Sequence, residues 1–399
     1  VAGALEGIVV ADLSDGMAGS YCTKLLAGLG AEVIKIEPPG RGDSVRSMPP
    51  FKDDVPNLET SVVHLHLSMG KKSISLNPST ATGKDLLRRL LEVSDVFVHS
   101  CLPPRLAELG IAEAELTEAM PRLVITAVTD FGQEGPYSGF KGGELVDYSL
   151  GGYAFLTGLP GREPIKAGGS QAMYQGGLHA ALGTMAALFM REATGAGDHI
   201  DVSVTEAICY THAAMSPYLN NGHIYRRVGA RLLSELPQAP YPSTILPCRD
   251  GFMHVHWAPA DPALLGVLTE NPRLGEAEVW ETPRGHADEI DRLLSDWLAE
   301  YDKKDAVRRA QELRHPFTEV MTPADLIEDP QFDARGFFRE IEHPEAGRFK
   351  HVGAPFTMSE TPFEVARAPL LGEHNREVYC RRLGLGQEEL SALRDREVI

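Results

Sequence analysis

The chain is short of positive charge: 38 Lys+Arg stand against 56 Asp+Glu, a formal net charge of −18. That excludes bulk electrostatic recognition of nucleic acid, because neutralising phosphates needs a basic surface. It leaves room for an anionic small molecule, which needs only a local cationic pocket in an acidic body. Cysteine is sparse too, with five residues at 22, 101, 209, 248 and 380. None are spaced as CxxC, so neither a zinc site nor a disulfide framework is expected. An odd, small number suits a reducing cytoplasm, which is the expected location. No apolar run of about 18 residues is free of charges or helix breakers, so no membrane span is expected. The opening VAGALEGIVVADLSDG enters strand-like sequence without the basic leader of a signal peptide.

Several chemical motifs are also missing. No Gly-x-Gly-x-x-Gly follows the first strand-like run; the segment there is SDGMAGSYC, which argues against an ordinary dinucleotide site. Walker, HExxH and GxSxG patterns are absent. His64 and His66 in VVHLHL read as alternating on one strand face and could ligate a metal. No third ligand accompanies them, so a hydrogen-bonded structural pair is the plainer account. The same holds for His254 and His256 in MHVHW, and His179 reads as a core histidine. No metal is expected.

What remains is the composition of a globular protein, 43% hydrophobic and 24% charged, with 399 residues to fill more than one domain. The first 130 residues alternate strand and helix. Gly7–Leu13 is a β-branched run closed by the N-cap-like Ser14, a helix follows from about Ala18 to Leu29, and Glu32–Glu37 is a second strand. Lys72–Leu76, Asp95–Val98 and Leu123–Val128 suit buried parallel strands, and Thr82–Val93 is amphipathic. The fold class is therefore α/β, Rossmann-like, with an open parallel sheet. Glycine pairs crowd residues 139–177, where loops that carry sites are expected. Leu178–Glu192 is apolar nearly all round and reads as a buried helix. Composition turns Pro-rich and aromatic near 215 and polar and loop-like near 328. These shifts divide the chain into a large domain (1–215), a smaller α+β domain (216–327) and a tail (328–399) that returns to the first.

Four separated stretches resemble the family III CoA-transferases, the group around formyl-CoA transferase, carnitine CoA-transferase and α-methylacyl-CoA racemase. They are LEGIVVADLSDGMAGSYCTKLLAGLGAEVIKIEPPGRGDSVR, MGKKSISLNPSTATGKDLLRRLLEVSDVFVHS, GGLHAALGTMAALFMREATGAGDHIDVSVTEA, and the C-terminal DPQFDARGFFREIEHPEAGRFKHVGAPFTMSETP with APLLGEHNREVY. The resemblance implies a Rossmann-like large domain, a smaller inserted domain and two chains threaded into an interlocked dimer. It implies acyl-CoA as substrate and a carboxylate nucleophile, because only a carboxylate can become acyl donor to the CoA thiol.

In many members that nucleophile opens a pattern Asp-Tyr-x-x-Gly-Leu-x-Ala-Ala. Here the matching stretch is Met173-Tyr174-Gln175-Gly176-Gly177-Leu178-His179-Ala180-Ala181, with methionine at the nucleophile's place. A thioether has no ionisable proton and cannot form an anhydride. The resemblance leaves Glu144 (the racemase's histidine position) and Asp147 as substitute carboxylates. Expected CoA contacts are altered as well: Met17, Pro38, Ser100–Cys101 and Glu108 stand where related chains have Gln, Arg, Asn-Phe and Arg. Arg46, Lys71, Lys72, Arg105 and Lys141 remain as expected phosphate partners. Three readings follow. The chain is the non-catalytic member of a heterodimer or heterotetramer whose homologous subunit carries the Asp, as in two-subunit benzylsuccinate CoA-transferases using succinyl-CoA. Alternatively it is an active homodimeric transferase or isomerase using another carboxylate, or a CoA-binding regulatory pseudoenzyme.

Overall fold

A computed structural model describes residues 3–211, 215–231, 241–256 and 262–399. Its first element, β1 (Val9–Leu13), leads through α1 (Met17–Gly28) to β2 (Glu32–Glu37). Then come α2 (Val62–Leu67), β3 (Lys72–Ser75), α3 (Ala81–Glu92), β4 (Val96–His99), α4 (Pro103–Leu109), α5 (Glu113–Ala119) and β5 (Val124–Thr129). After a long loop follow α6 (Glu144–Leu150), the single turn α7 (Tyr153–Leu156), α8 (Gln171–Thr194), β6 (His199–Ser203) and α9 (Val204–Tyr210). The six strands form one parallel sheet in the order β3-β2-β1-β4-β5-β6. Strand order reverses direction between β1 and β4, and a crevice opens outside the carboxyl ends of such a pair.

Local chemistry explains these elements. The strands are short and mostly buried on both faces, as β5 shows with six buried residues, while the edge strand β6 is part exposed. On α3, Leu86, Leu87, Leu90 and Leu91 point into the core, and the Thr80 hydroxyl accepts the Gly83 N–H as an N-cap. Where α1 meets α8 the backbones touch: a Cβ on Gly177 would lie 2.4 Å from the Ala18 carbonyl oxygen. Gly177→Ala is therefore expected to cost about 1–3 kcal/mol, read as a lower denaturant midpoint with an unchanged slope.

Three local expectations are corrected. VVHLHL is helical, not a strand, since Ser61 caps it by accepting the His64 N–H and its buried residues fall at helical spacing. Ser14 does not cap α1; its hydroxyl bonds Asp12, and the helix starts after Gly16, whose φ of 88° suits glycine. And α8 is not buried all round: Leu178, Leu182, Phe189 and Met190 are 46%, 60%, 79% and 52% exposed. The sheet, α1 and α9 pack against α8 but leave these four side chains exposed.

The chain divides into two compact units. The larger holds Val1–Tyr153, Ala167–Ala213 and Gln331–Ile399. Its last segment is not loop-like: β10 (Phe338–His343) and β11 (Gly347–Val352) form an antiparallel hairpin, and α17 (Gln387–Asp395) follows a π-helical turn. Tyr379 donates its hydroxyl to the Ser75 carbonyl at 2.8 Å, and Asn77 N–H bonds the Val398 carbonyl at 2.7 Å, so the tail closes the edge at β3.

The smaller unit holds Ala154–Lys166 and Ala214–Pro330. Its three-stranded sheet, β7 (Ser243–Cys248), β8 (Gly251–His256) and β9 (Thr318–Glu319), packs with α11 (Pro262–Leu268), α13 (Ala287–Leu298) and α14 (Lys303–Glu312) around Met253, Ile290 and Trp297. Residues 154–166, which composition leaves in the large domain, cluster here. Arg227 holds the carbonyls of Phe155 and Arg162, and Gly229 N–H bonds the Gly158 carbonyl.

Candidate active site

Beneath the crevice lies a buried ionic lattice. Asp12 on β1 and Lys35 on β2 are register partners, and both are fully buried. Lys35 Nζ lies 3.3 Å from Asp12 and 2.6 Å from Asp43; Lys71 Nζ reaches the other Asp12 oxygen at 3.3 Å, and Thr23 donates to it at 2.6 Å. Burial opposes the Asp12 carboxylate, but Lys35 and Lys71 outweigh it and hold its pKa below the usual range. Burial, only partly answered by Asp12, brings Lys71 down to about 8. Asp43 then accepts the N–H groups of Gly16 and Val45, so the lattice fixes the turn that opens α1. Two charged residues inside the apolar strands GIVVADL and EVIKIE were the sequence signal for it.

Above the lattice, at the carboxyl ends of β1, β4 and β5, is a cavity of 710 Å³. Its walls come from the start of α1 (Gly16, Met17), the β5 end (Thr129, Asp130), the glycine turn Lys141–Glu144 and the first turn of α8, where Met173 lies. Met173 N–H donates to Glu144 Oε2 at 3.2 Å, so the two side chains start from one corner of the cavity. A second cavity of 390 Å³ shares Asp15 and Ser100 with the first and is lined by Arg41, Ser79 and Arg105. Sharing these residues, the two adjoin as one trough, with Arg41 and Arg105 at one end and Phe140, Lys141, Asp130 and Glu144 at the other. Such a trough suits a long ligand with phosphates at one terminus.

The profile of CoA-transferase family III matches residues 5–375. A formyl-CoA:oxalate CoA-transferase of Streptomyces coelicolor is 33% identical over an alignment covering 99% of each chain. A succinyl-CoA–D-citramalate CoA-transferase of Chloroflexus aurantiacus is 32% identical, covering 99% of this chain and 98% of that one. This chain belongs to CoA-transferase family III. A crystal structure of a CAIB/BAIF family protein from Brucella suis superposes with a TM-score of 0.85 at 28% identity, covering 96% of this chain and all of that one.

In this family III chain the expected site residues separate into two groups. Met173, Glu144 and Lys141 come together in the larger cavity, and Arg105 lines the smaller one. Asp147 is fully buried behind the glycine turn, outside the cavity lining, where Thr205 Oγ1 and Gly143 N–H donate to it.

Three expected phosphate partners are corrected. Arg46 is fully buried, and its five N–H donors are taken by Glu37, Glu59 and the carbonyls of Leu58 and Pro369. Lys71 is buried on Asp12 and the Ser20 carbonyl. Lys72 is held between Glu32 and Glu377, each at 2.7 Å. Each cation neutralises a carboxylate of the fold instead of facing the trough. Arg41, five residues before Arg46, is an exposed cation that lines the smaller cavity with Arg105, and it makes no ion pair among the described residues.

The histidines singled out in the sequence each contact other side chains or the backbone, and His179 is half-buried instead of lying in the core. His64 Nε2 contacts the Pro369 carbonyl at 3.3 Å, and burial followed by Arg46 lowers its pKa to about 3. His66 lies 3.1 Å from Lys24 Nζ and stacks on His351. His179 shares its Nδ1 with the Gln175 carbonyl at 2.8 Å. On β8, His254 and His256 stack with centroids 6.0 Å apart. No group of three or more metal-binding side chains exists among the described residues, nor is any helix there long and apolar enough to cross a membrane. By the family resemblance, the acceptor acid would be read by Tyr137–Gly152 and His256–Asp261. Ser138, Phe140 and Lys141 of the first line the cavity, and residues 257–261 of the second lie outside the described residues.

Proposed function

We propose that this chain binds an acyl-CoA thioester along the trough and serves as the subunit of an acyl-CoA:carboxylate CoA-transferase that does not carry the covalent step. The observation that carries this is Met173: a thioether occupies the first turn of α8, facing the cavity, where the family resemblance puts the nucleophile. In such a transfer a carboxylate oxygen attacks the thioester carbonyl, the C–S bond breaks, and CoA leaves as thiolate while the acyl group stays on the carboxylate as a mixed anhydride. The thiolate then attacks the nucleophile's own carbonyl, releasing the donor acid and leaving CoA on the protein. The acceptor carboxylate repeats both steps and takes CoA away. Every step needs a carboxylate that can become an acyl group, and Met173 has none.

A homologous partner with Asp at that position would supply it. The exposed Leu178, Leu182, Phe189 and Met190 on α8 offer an apolar face of the kind that obligate partners cover. An interlocked arrangement of two chains would suit that face. The donor is read as a small acyl-CoA such as formyl- or succinyl-CoA, by likeness to the relatives named above. Neither relative is named for an aromatic acid, so the aromatic acceptor expected earlier gains no support. The protein would work where acyl-CoA pools exist, in the cytoplasm.

Arg41 and Arg105 would hold the nucleotide phosphates by charge-assisted hydrogen bonds. Arg41→Ala and Arg105→Ala are each expected to weaken CoA binding roughly tenfold, more at low salt than at high salt, as read by calorimetry. If both variants bind CoA as the parent does, the nucleotide lies elsewhere. One further observation favours a second reading: Glu144 shares the cavity corner with Met173. Were Glu144 the nucleophile, the chain alone would turn over and acquire CoA covalently. The test is therefore co-purification with candidate partners, incubation with succinyl-CoA or formyl-CoA, and identification of which chain carries CoA.

A further inference from the structure

We propose that Asp130 and Asp147 form a carboxyl pair sharing one proton, and that this pair positions the glycine turn carrying Lys141 and Glu144. The proposal rests on the reading of the cavity as an acyl-CoA site and names a control on it.

The geometry is specific. Asp130 leaves the end of β5 and lines the cavity, whereas Asp147 is wholly buried on α6. The two carboxyl groups hydrogen-bond one another. Each also holds one residue of the turn: Gly142 N–H donates to Asp130 Oδ2 at 3.0 Å, and Gly143 N–H to Asp147 Oδ2 at 3.2 Å. Thr205 Oγ1 on α9 donates to the remaining Asp147 oxygen at 2.9 Å. The approach is close enough to need glycine, since a Cβ on Gly142 would lie 2.5 Å from the Asp130 side chain. The next residue is Glu144, which receives the Met173 N–H. A chain of direct contacts thus runs from the pair through the turn to the corner of the cavity.

Two touching carboxylates cannot both ionise cheaply, so one proton stays between them. Burial, and then the Asp130 charge, raise Asp147 to about 7. The other titratable side chains on the surrounding elements include Lys141 and Glu144 at the turn, Tyr148 on α6, Tyr174 and His179 on α8, Asp201 on β6, and Glu206, Cys209 and Tyr210 on α9. No cation is among the main groups acting on Asp147. The sign follows from a raised carboxyl pKa. Below about neutral pH the proton is present and the turn is held; above it, two charges face each other and the turn loosens. Binding in the cavity should then weaken as pH rises.

The test measures binding of CoA itself by calorimetry from about pH 6 to about pH 8.5, alongside hydrogen-exchange protection of the turn in ligand-free protein, corrected for intrinsic rates. For the native chain, Kd is expected to rise by up to tenfold for each pH unit above the midpoint, with protection of residues 140–146 falling in parallel. Asp130→Asn keeps every hydrogen bond, because its amide can accept from Gly142 and donate to an ionised Asp147, but it removes the shared proton. Its turn protection and any CoA binding should be independent of pH. Native protection that does not change with pH overturns the proposal, as does an Asp130→Asn variant that keeps the native dependence. Protection that titrates while CoA binding does not would also overturn it, because the pair would then not reach the cavity. If the turn titrates as expected and CoA does not bind at any pH, the pair stands and the proposed function fails.

Discussion

Met173→Asp is expected to convert this chain into one that forms a covalent CoA thioester on its own. Incubated with succinyl-CoA or formyl-CoA, the variant should gain the mass of CoA less one water, located on residue 173. Loss of a covalent nucleophile costs on the order of 10⁴–10⁶-fold in turnover, so restoring it should raise CoA transfer by a large part of that range. The first turn of the 24-residue α8 favours a negative charge through its unpaired N–H groups. Glu144, already bonded to the residue 173 N–H, opposes that charge and would moderate the gain. A variant that binds CoA in the trough yet forms no adduct would show that residue 173 is not where the thioester carbonyl comes to rest.

The second large effect concerns stability. Arg46→Leu removes the only basic side chain that pairs with Glu37 among the described residues, stranding a carboxylate that is 1% exposed. Breaking a buried pair on one side costs about 3–5 kcal/mol, read as a lowered denaturant midpoint. Glu37→Gln in the same background should recover part of the loss. Burial disfavours the Glu37 charge, but Arg46 and the Ser73 hydroxyl outweigh it and bring its pKa down to about 2 from an ordinary 4.5. A depressed carboxylate contributes stability above its unfolded pKa and loses it as pH falls through the folded one. The native chain should therefore lose this contribution between about pH 4.5 and pH 2, and Arg46→Leu should lack that acid-dependent component. CoA affinity of the folded Arg46→Leu protein should match the native value, since Arg46 does not reach the trough. A tenfold loss of affinity without a loss of stability would return Arg46 to the role of phosphate partner.

That reversal shows where reading the sequence stops. Glu32–Glu37 is β2 residue for residue, and the other parallel strands fall within a residue or two of their apolar runs. Buried strands declare themselves by composition. VVHLHL was misread because two alternating histidines imitate a strand, while the deciding feature, the Ser61 cap, lies just outside the motif. Arg46 and Lys71 were misassigned because a cation near a phosphate site looks the same in sequence whether it faces the ligand or folds back on an acid. The acids that claim them, Glu37 and Asp12, sit in strands read for their apolar residues. Arg105 and Lys141 reach the trough because their elements end at its rim, and Arg41 was visible only as a neighbour of Arg46. Met173 was legible through the family pattern alone, since nothing in its chemistry marks a site. Asp130 and Asp147 meet only because α6 turns back over the end of β5, which no local pattern records.

We propose that this family III chain binds acyl-CoA but does not itself take CoA into covalent linkage. The most direct measurement is the intact mass of the native chain, purified alone and incubated with succinyl-CoA, with calorimetric binding of CoA measured on the same preparation. Saturable binding and no mass gain on this chain are expected. A mass increase of CoA less water on Glu144, or on any other carboxylate of the isolated chain, would contradict it.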